Sequence, residues 1–146
     1  MENSKPEVGP ITTDFLVAEE MLITKIFTFA GAHQLPNHPG KCKNLHGHEW
    51  KLEVTISGQI DADTGMIIDF SDLKKIVNEN VIDVLDHSYL NNTLPNPTAE
   101  NIISWIWDKL EDKVKNKRRN LFALKLWEAP DSCIEYAKVY QEVLNK

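Results

Sequence analysis

Cys42-Lys43-Asn44-Leu45-His46-Gly47-His48-Glu49-Trp50-Lys51-Leu52-Glu53-Val54-Thr55-Ile56 is the stretch on which the fold turns. Trp50, Leu52, Val54 and Ile56 share the parity of His46 and His48, while Lys51, Glu53, Thr55 and Ser57 take the other. Alternation over this length is the pattern of a half-buried β-strand. Side chains two apart on a strand lie on one face, about 6.6 Å apart along the chain. The two imidazoles therefore belong at the open end of a buried face, where an unpaired polar ring is costly. Gly47 between them leaves the opposite face bare. A bulge between 48 and 50 would break this parity. A chance His-x-His pair on a wet strand is the plainer alternative.

Upstream, Met21 to Phe29 reads as the first strand, with Met21, Ile23, Phe27 and Phe29 on one face. It runs into Ala30-Gly31-Ala32-His33 and then the breaker-rich loop Gln34-Leu35-Pro36-Asn37-His38-Pro39-Gly40. If the two strands pair as a long hairpin, the ends flanking this loop are neighbours, and His33 joins His46 and His48. Three protein ligands with one open position is the usual make-up of a catalytic zinc site. His38, inside the loop, reads as a solvated loop residue.

Downstream, the second strand (about 47–58) ends at Gly58, and Asp61-Ala62-Asp63-Thr64-Gly65 is turn chemistry, wrongly spaced for an EF-hand. Asp69 is an N-cap with Asp72 in the first turn of a helix. Its apolar positions are Phe70, Leu73, Val77, Val81 and Val84, and it ends near Asp86-His87. After Leu94-Pro95-Asn96-Pro97, Thr98 caps a second helix with Ile103, Ile106, Leu110 and Val114 as its stripe. Trp105 and Trp107 flank that stripe as packing or interface residues. Leu121 to Glu128 places Phe122, Leu124, Leu126 and Glu128 on one face of a third strand, and Cys133 to Val143 is the last. Strand, strand, helix, helix, strand, strand implies an α+β layer with an antiparallel sheet covered on one face.

At 146 residues the chain is one domain, and its 42% hydrophobic and 26% charged residues fit a folded core. A net charge of −6 argues against nucleic-acid binding. The one basic cluster, Lys113 to Arg119, reads as a solvated helix C-terminus. Two cysteines 91 positions apart make no disulfide framework, and no apolar run reaches a membrane span of about 18 residues. Residues 1–20 are acidic, unlike a signal or transit peptide, and read as a loose tail in which Thr12 to Ala18 could add a short edge element. The chain therefore reads as cytoplasmic, with reduced thiols and no membrane partner.

Such a zinc site polarises a substrate hydroxyl or carbonyl and acidifies the adjacent C–H. Cys42 lies between Lys41 and Lys43, whose charges favour a thiolate able to act as a general base. It could instead be a small buried hydrophobe, or a fourth ligand that closes the site. Cys133, inside a strand pattern, reads as a buried hydrophobe. Asp86-His87 could be a proton donor held by a carboxylate, although such pairs are common at helix ends. Glu128 is an acid on an otherwise apolar strand face, and a carboxylate there suits the paired N–H donors of a guanidine-like heterocycle.

Phe29-Ala30-Gly31-Ala32-His33, Cys42-x3-His46-Gly47-His48, Asp86-His87, Pro97-Thr98-Ala99-Glu100-Asn101 and Leu126-Trp127-Glu128 stand in the order and spacing of the 6-pyruvoyl tetrahydropterin synthase family. The chain resembles that family over about residues 21–140. The resemblance implies the T-fold (tunnelling fold): a four-stranded antiparallel sheet with two helices on one face, ββααββ, oligomerised into a barrel with active sites between subunits. The short Cys-x3-His spacing is similar to the bacterial and archaeal 6-carboxy-5,6,7,8-tetrahydropterin synthase branch, since the animal-type enzyme has a longer gap. Members with Glu in place of the Cys act on different pterin side chains, and this chain keeps Cys42.

By that resemblance the substrate is 7,8-dihydroneopterin triphosphate, and the products are 6-carboxytetrahydropterin, acetaldehyde and triphosphate, a step of queuosine (7-deazaguanine) biosynthesis. Zn²⁺ would sit on His33, His46 and His48. Cys42 would remove a proton, and His87, oriented by Asp86, would return one. Glu128 would anchor the pterin, with Thr98 and Glu100 assisting. A homo-oligomer, hexamer or tetramer, is implied as well. Residues 1–20 are an extension beyond the shorter members, and 21–146 form the single synthase domain. The sibling 6-pyruvoyl-forming activity and a non-enzymatic zinc-binding module are the alternatives.

Overall fold

The computed structural model describes residues 20–138. The edge element expected at Thr12 to Ala18 lies outside them. Two 13-residue strands, β1 (Met21–His33) and β2 (His46–Gly58), pair antiparallel in unbroken register from Met21 opposite Gly58 to His33 opposite His46. No bulge interrupts positions 48 to 50, so Trp50, Leu52, Val54 and Ile56 all face inward with no exposed surface. β1 keeps its extended geometry four residues past Phe29, which carries Gly31 and His33 onto the same inner face.

A helical rod follows, made of α1 (Phe70–Val77), a wide π turn (Asn78–Ile82) and α2 (Asp83–Leu85). Asp69 caps it by accepting from the Ser71 amide at 2.7 Å, as its sequence position implied. Leu73, Val77 and Val81 are buried as expected, but Phe70 and Val84 are exposed and Leu85 takes the core position instead. The wide turn delays the helical phase by about one residue. The second rod, α3 (Ala99–Val114), is capped by the Thr98 hydroxyl, which accepts from the Asn101 amide at 3.1 Å.

The sheet has five strands in the order β3-β1-β2-β4-β5. The strand beyond the expected four is β3 (Ser88–Tyr89), which runs parallel to β1 beside Gly31 and Ala32, so the sheet is mixed. Two residues carry too little pattern to be read as a strand beforehand. β4 (Arg119–Ala129) pairs with β2, and β5 (Ser132–Tyr136) closes the far edge. The rods and the inner sheet face share one core, from Phe29, Trp50, Leu52 and Leu126 to Leu73, Leu85, Ile106 and Leu110.

Several sequence readings change here. Thr55 pairs with Ala123 and Ile56 with Leu121, so Phe122 is an extra, unpaired residue of β4. Such a bulge moves everything before it to the other parity. Leu121 therefore points in and Phe122 out, against the simple alternation. β5 stops at Tyr136, and the remainder of the strand expected up to Val143 falls partly outside the described residues. Cys133 is exposed rather than buried. Only Lys113 of the basic cluster lies in the last turn of α3, and Arg119 already starts β4, where its Nε donates to the Val114 carbonyl at 2.8 Å. Trp107 is buried within the single chain against Tyr136, with ring centroids 4.9 Å apart, and needs no partner subunit to cover it.

Candidate metal centre

The unbroken β1–β2 register sets His33 directly across from His46, with His48 two residues along the same face. Ring centroids are 4.5 Å apart for His33 and His46, 5.2 Å for His33 and His48, and 4.9 Å for His46 and His48. Trp50 forms the floor, meeting His33 and His48 edge-on at 5.4 and 5.5 Å. Its indole N–H donates to the Gly31 carbonyl at 3.3 Å, which holds the floor against β1.

Backbone carbonyls orient two of the rings. Nδ1 of His33 lies 2.8 Å from the Pro97 carbonyl and Nδ1 of His46 lies 2.7 Å from the Asn44 carbonyl. A carbonyl can only accept, so each Nδ1 carries the proton and each Nε2 offers a lone pair. Nε2 of His33, His46 and His48 are all buried without a hydrogen-bond partner. Three such atoms aimed at one place is what a divalent cation needs and what a purely structural cluster avoids. Burial, the largest influence, pushes the fully buried His33 below the usual histidine range, although the Pro97 contact opposes it. A neutral imidazole is the form that binds a metal.

Glu128 joins the group. One ligand atom from each of His33, His46, His48 and Glu128 lies within 4.8 Å of the others. Its Oε1 is 3.2 Å from His48 Nε2 and 3.5 Å from His33 Nε2. Trp127 pairs with Cys133 and Ala129 with Ser132, leaving Glu128 as the unpaired residue of a second β4 bulge. That bulge sits where β4 leaves β2, and bulges re-aim side chains in this way. A cavity of about 460 Å³ opens beside the group, lined by Thr28, Gly47, His48, Lys51, Trp127 and Glu128 among others. A Cβ added at Gly47 would meet only the Gly31 carbonyl, at 3.8 Å, so the strand is bare on that side.

None of the other candidates adds a ligand atom to this group within the described residues of one chain. Cys42 lies in a 3₁₀ turn (Lys41–Lys43), half-buried, its carbonyl held by the Leu35 amide at 2.9 Å, and it is not among the converging ligand atoms. Asp86 and His87 form their own pair, with Oδ2 and Nδ1 2.9 Å apart. The Ala30 amide donates to Asp86 Oδ1 at 2.9 Å, and this bond, then the His87 contact, holds the Asp86 carboxyl below the usual carboxylate range. His87 has φ 55°, in the left-handed region that costs a non-glycine residue about 1 kcal/mol or more. Its side chain is 84% exposed and lines a cavity of about 620 Å³ that also reaches His48. Strain held at an exposed ionisable group is common where chemistry is done. Thr98 is occupied by helix capping, and Glu100 is exposed in the first turn of α3. His38 stays in its loop, accepting from the Gly40 amide. The carbonyls of Pro97 and Asn44 and the backbone of Ala30 went unread in the sequence, because a backbone group carries no residue-type signal.

A layered α+β domain with a three-histidine, one-carboxylate cluster at one sheet end is the class that these observations define. The model of the family described as 6-pyruvoyl tetrahydropterin synthase matches residues 22–139, and the chain belongs to that family. A 6-carboxy-5,6,7,8-tetrahydropterin synthase of Haemophilus influenzae is 37% identical over 139 residues, covering 78% of this chain and 96% of that protein. A 6-pyruvoyl tetrahydrobiopterin synthase of Dictyostelium discoideum is 32% identical, covering 82% and 98%. The solved 6-pyruvoyl tetrahydropterin synthase of Caenorhabditis elegans superposes with a TM-score of 0.73 at 25% identity, over 83% of this chain and 97% of that one. The architecture is accordingly the T-fold.

Proposed function

We propose that this protein is a zinc-dependent 6-carboxy-5,6,7,8-tetrahydropterin synthase. In this reading it converts 7,8-dihydroneopterin triphosphate to 6-carboxytetrahydropterin, acetaldehyde and triphosphate in the cytoplasm, as a step toward queuosine. The observation that carries the reading is the convergence of three buried, unpartnered Nε2 atoms beside an acid-lined cavity. The short Cys-x3-His spacing and the name of the Haemophilus relative favour the carboxy-forming reaction.

His33, His46 and His48 would hold the ion, and the donor set suits zinc. When bound, the metal would supply Lewis acidity to the oxygens of the substrate side chain. Cys42 would take the proton from the side-chain carbon, and His87, oriented by Asp86, would return one. Glu128 would accept two N–H bonds from the pterin edge. Thr98 would assist through its place beside Pro97 rather than through a free hydroxyl, and Glu100 from the exposed helix start.

No hydrogen bond, ion pair or ring contact joins Cys42, the Asp86–His87 pair and the histidines within the described residues of one chain. Among the described residues no further strand pairs with the sheet's two outer strands, β3 and β5, and proteins normally pair or cover such edges. A homo-oligomer, hexamer or tetramer, in which neighbours complete each site accounts for both. The deciding experiment incubates zinc-loaded protein with 7,8-dihydroneopterin triphosphate and identifies the products. Acetaldehyde is expected. A 6-pyruvoyl product without acetaldehyde would assign the sibling activity carried by the Dictyostelium relative's name, and no turnover would reject the enzyme reading.

A further inference from the structure

Buried positions in the first helical rod fall at Leu73, Val77, Val81 and Leu85, four residues apart three times running. An α-helix turns about 100° per residue, so twelve residues of regular helix would swing the last of these about 120° off the core face. The rod keeps all four in the core because it widens at Asn78–Ile82 into a π turn. A wide turn is normally costly, since its hydrogen bonds skip one residue further and disturb the regular ladder. Here the Asn80 side chain ties the middle of the turn back to α1: Nδ2 donates to the Ile76 carbonyl at 2.7 Å, four residues earlier.

The consequence appears at the end of the rod. Asp86 and His87 follow Leu85 directly and are tied to a single residue of β1. Ala30 donates its amide to Asp86 Oδ1 at 2.9 Å and accepts the His87 amide at 2.6 Å. His87 sits in the left-handed region, at φ 55°, with its amide fixed on the Ala30 carbonyl. A phase error upstream would rotate both residues away from Ala30.

We propose that Asn80 is a positioning residue. Its side chain ties the wide turn to α1 and so sets the rotation at which Asp86 and His87 meet β1. This rests on the reading of His87 as the proton donor, and it assigns to a half-buried asparagine far along the helix a role in aiming that donor. No hydrogen bond joins the Asn80 side chain to either of the two residues it aims.

Asn80→Asp keeps the shape but cannot donate to the Ile76 carbonyl. Hydrogen exchange of the Ala30 and His87 amides should accelerate about tenfold in this variant, while the β1–β2 ladder amides stay protected. Turnover should fall about tenfold, with KM within about twofold and zinc content unchanged, as for a misaimed group. Deleting the exposed Glu79 in the same background removes the extra residue, lets the helix close regularly, and should restore both exchange and turnover. Unchanged exchange in Asn80→Asp, or acceleration spread evenly over α1 and β1, would overturn the proposal. Faster exchange at Ala30 and His87 with full turnover would leave the hold of Asn80 standing and overturn the proton-donor role of His87 instead.

Discussion

At the end of the β1–β2 pair near Gly58, polar side chains find hydrogen-bond partners; at the other end, near His33 and His46, three imidazole nitrogens do not. Around Gly58, Arg119 donates to the carbonyls of Val114 and Ile67, and Arg118 pairs with Asp61 at 2.7 Å. Asp61 also accepts from the amides of Asp63 and Thr64, and a Cβ on Gly58 would strike the Arg118 carbonyl at 2.7 Å. That end is closed by mutual satisfaction. At the histidine end three imidazole nitrogens are buried without a hydrogen bond, two of them facing Glu128 Oε1 at 3.2 and 3.5 Å. A buried unsatisfied polar atom costs about 1–3 kcal/mol. One sheet thus holds both arrangements, and the end that carries the cost is the one equipped to bind something.

The largest effects should come from emptying the open end. His33→Ala, His46→Ala and His48→Ala should each drop zinc from about one ion per chain to near none and abolish turnover, as loss of one of three ligands implies. His38→Ala should keep both. Metal analysis after gel filtration checks this, and full zinc in the His33 variant would remove that residue from the site.

Next comes the thiol that stands outside the converging group. Cys42→Ala should retain zinc and lose turnover by about 10²-fold or more, as for a missing general base. The cobalt-substituted protein should correspondingly lack a thiolate charge-transfer band. Metal loss in this variant would make the centre a closed structural site.

Glu128→Gln separates an anchor from a ligand. It should keep zinc and assembly, and raise KM by an amount equivalent to about 1.5–3 kcal/mol, the scale of a hydrogen bond to a charged group. Zinc loss would instead assign Glu128 to the metal, which its 3.2 Å distance to His48 Nε2 allows.

At the satisfied end, Arg119→Ala should cost stability of about 2 kcal/mol in a urea melt, with zinc content unchanged. If it also released zinc, the contrast between the two ends would fail. The smallest expected effect is the acid dependence of the Asp86 tie. Asp86 is held below the usual carboxylate range by the Ala30 amide and His87. Its contribution is therefore complete above the unfolded value near pH 4 and is lost as pH falls through the lower folded value. Wild-type stability should decline more steeply than that of Asp86→Asn on acidification from about pH 4.5 to 2.5. Parallel declines would show that the tie contributes nothing.

How much of this was legible beforehand varies by kind of signal. The inward parity of His46, His48, Trp50 and Leu52 could be read because alternation is a property of neighbouring residues on one strand. The caps at Asp69 and Thr98 were equally local, since each bonds a backbone amide two or three residues on. Membership of His33 in the cluster needed only the assumption that two adjacent strands form a hairpin. Phe122 departs from the alternation because its bulge exists only against β2, and nothing within Leu121 to Glu128 announces a skipped pairing. A regular 3.6-residue repeat puts Val84 rather than Leu85 on the core face, because it has no place for a π turn.

The sequence by itself determined the two long strands, the two capped helical rods and the three imidazoles at one strand end. These follow from residue type and from spacing within a few positions. Tertiary structure alone decided that Glu128 turns toward His48, that Pro97 and Asn44 lend carbonyls to His33 and His46, and that Asp86 and His87 lock onto Ala30. Each of these depends on a backbone group or a register shift supplied by a distant segment, and such partners leave no mark on the residues they hold.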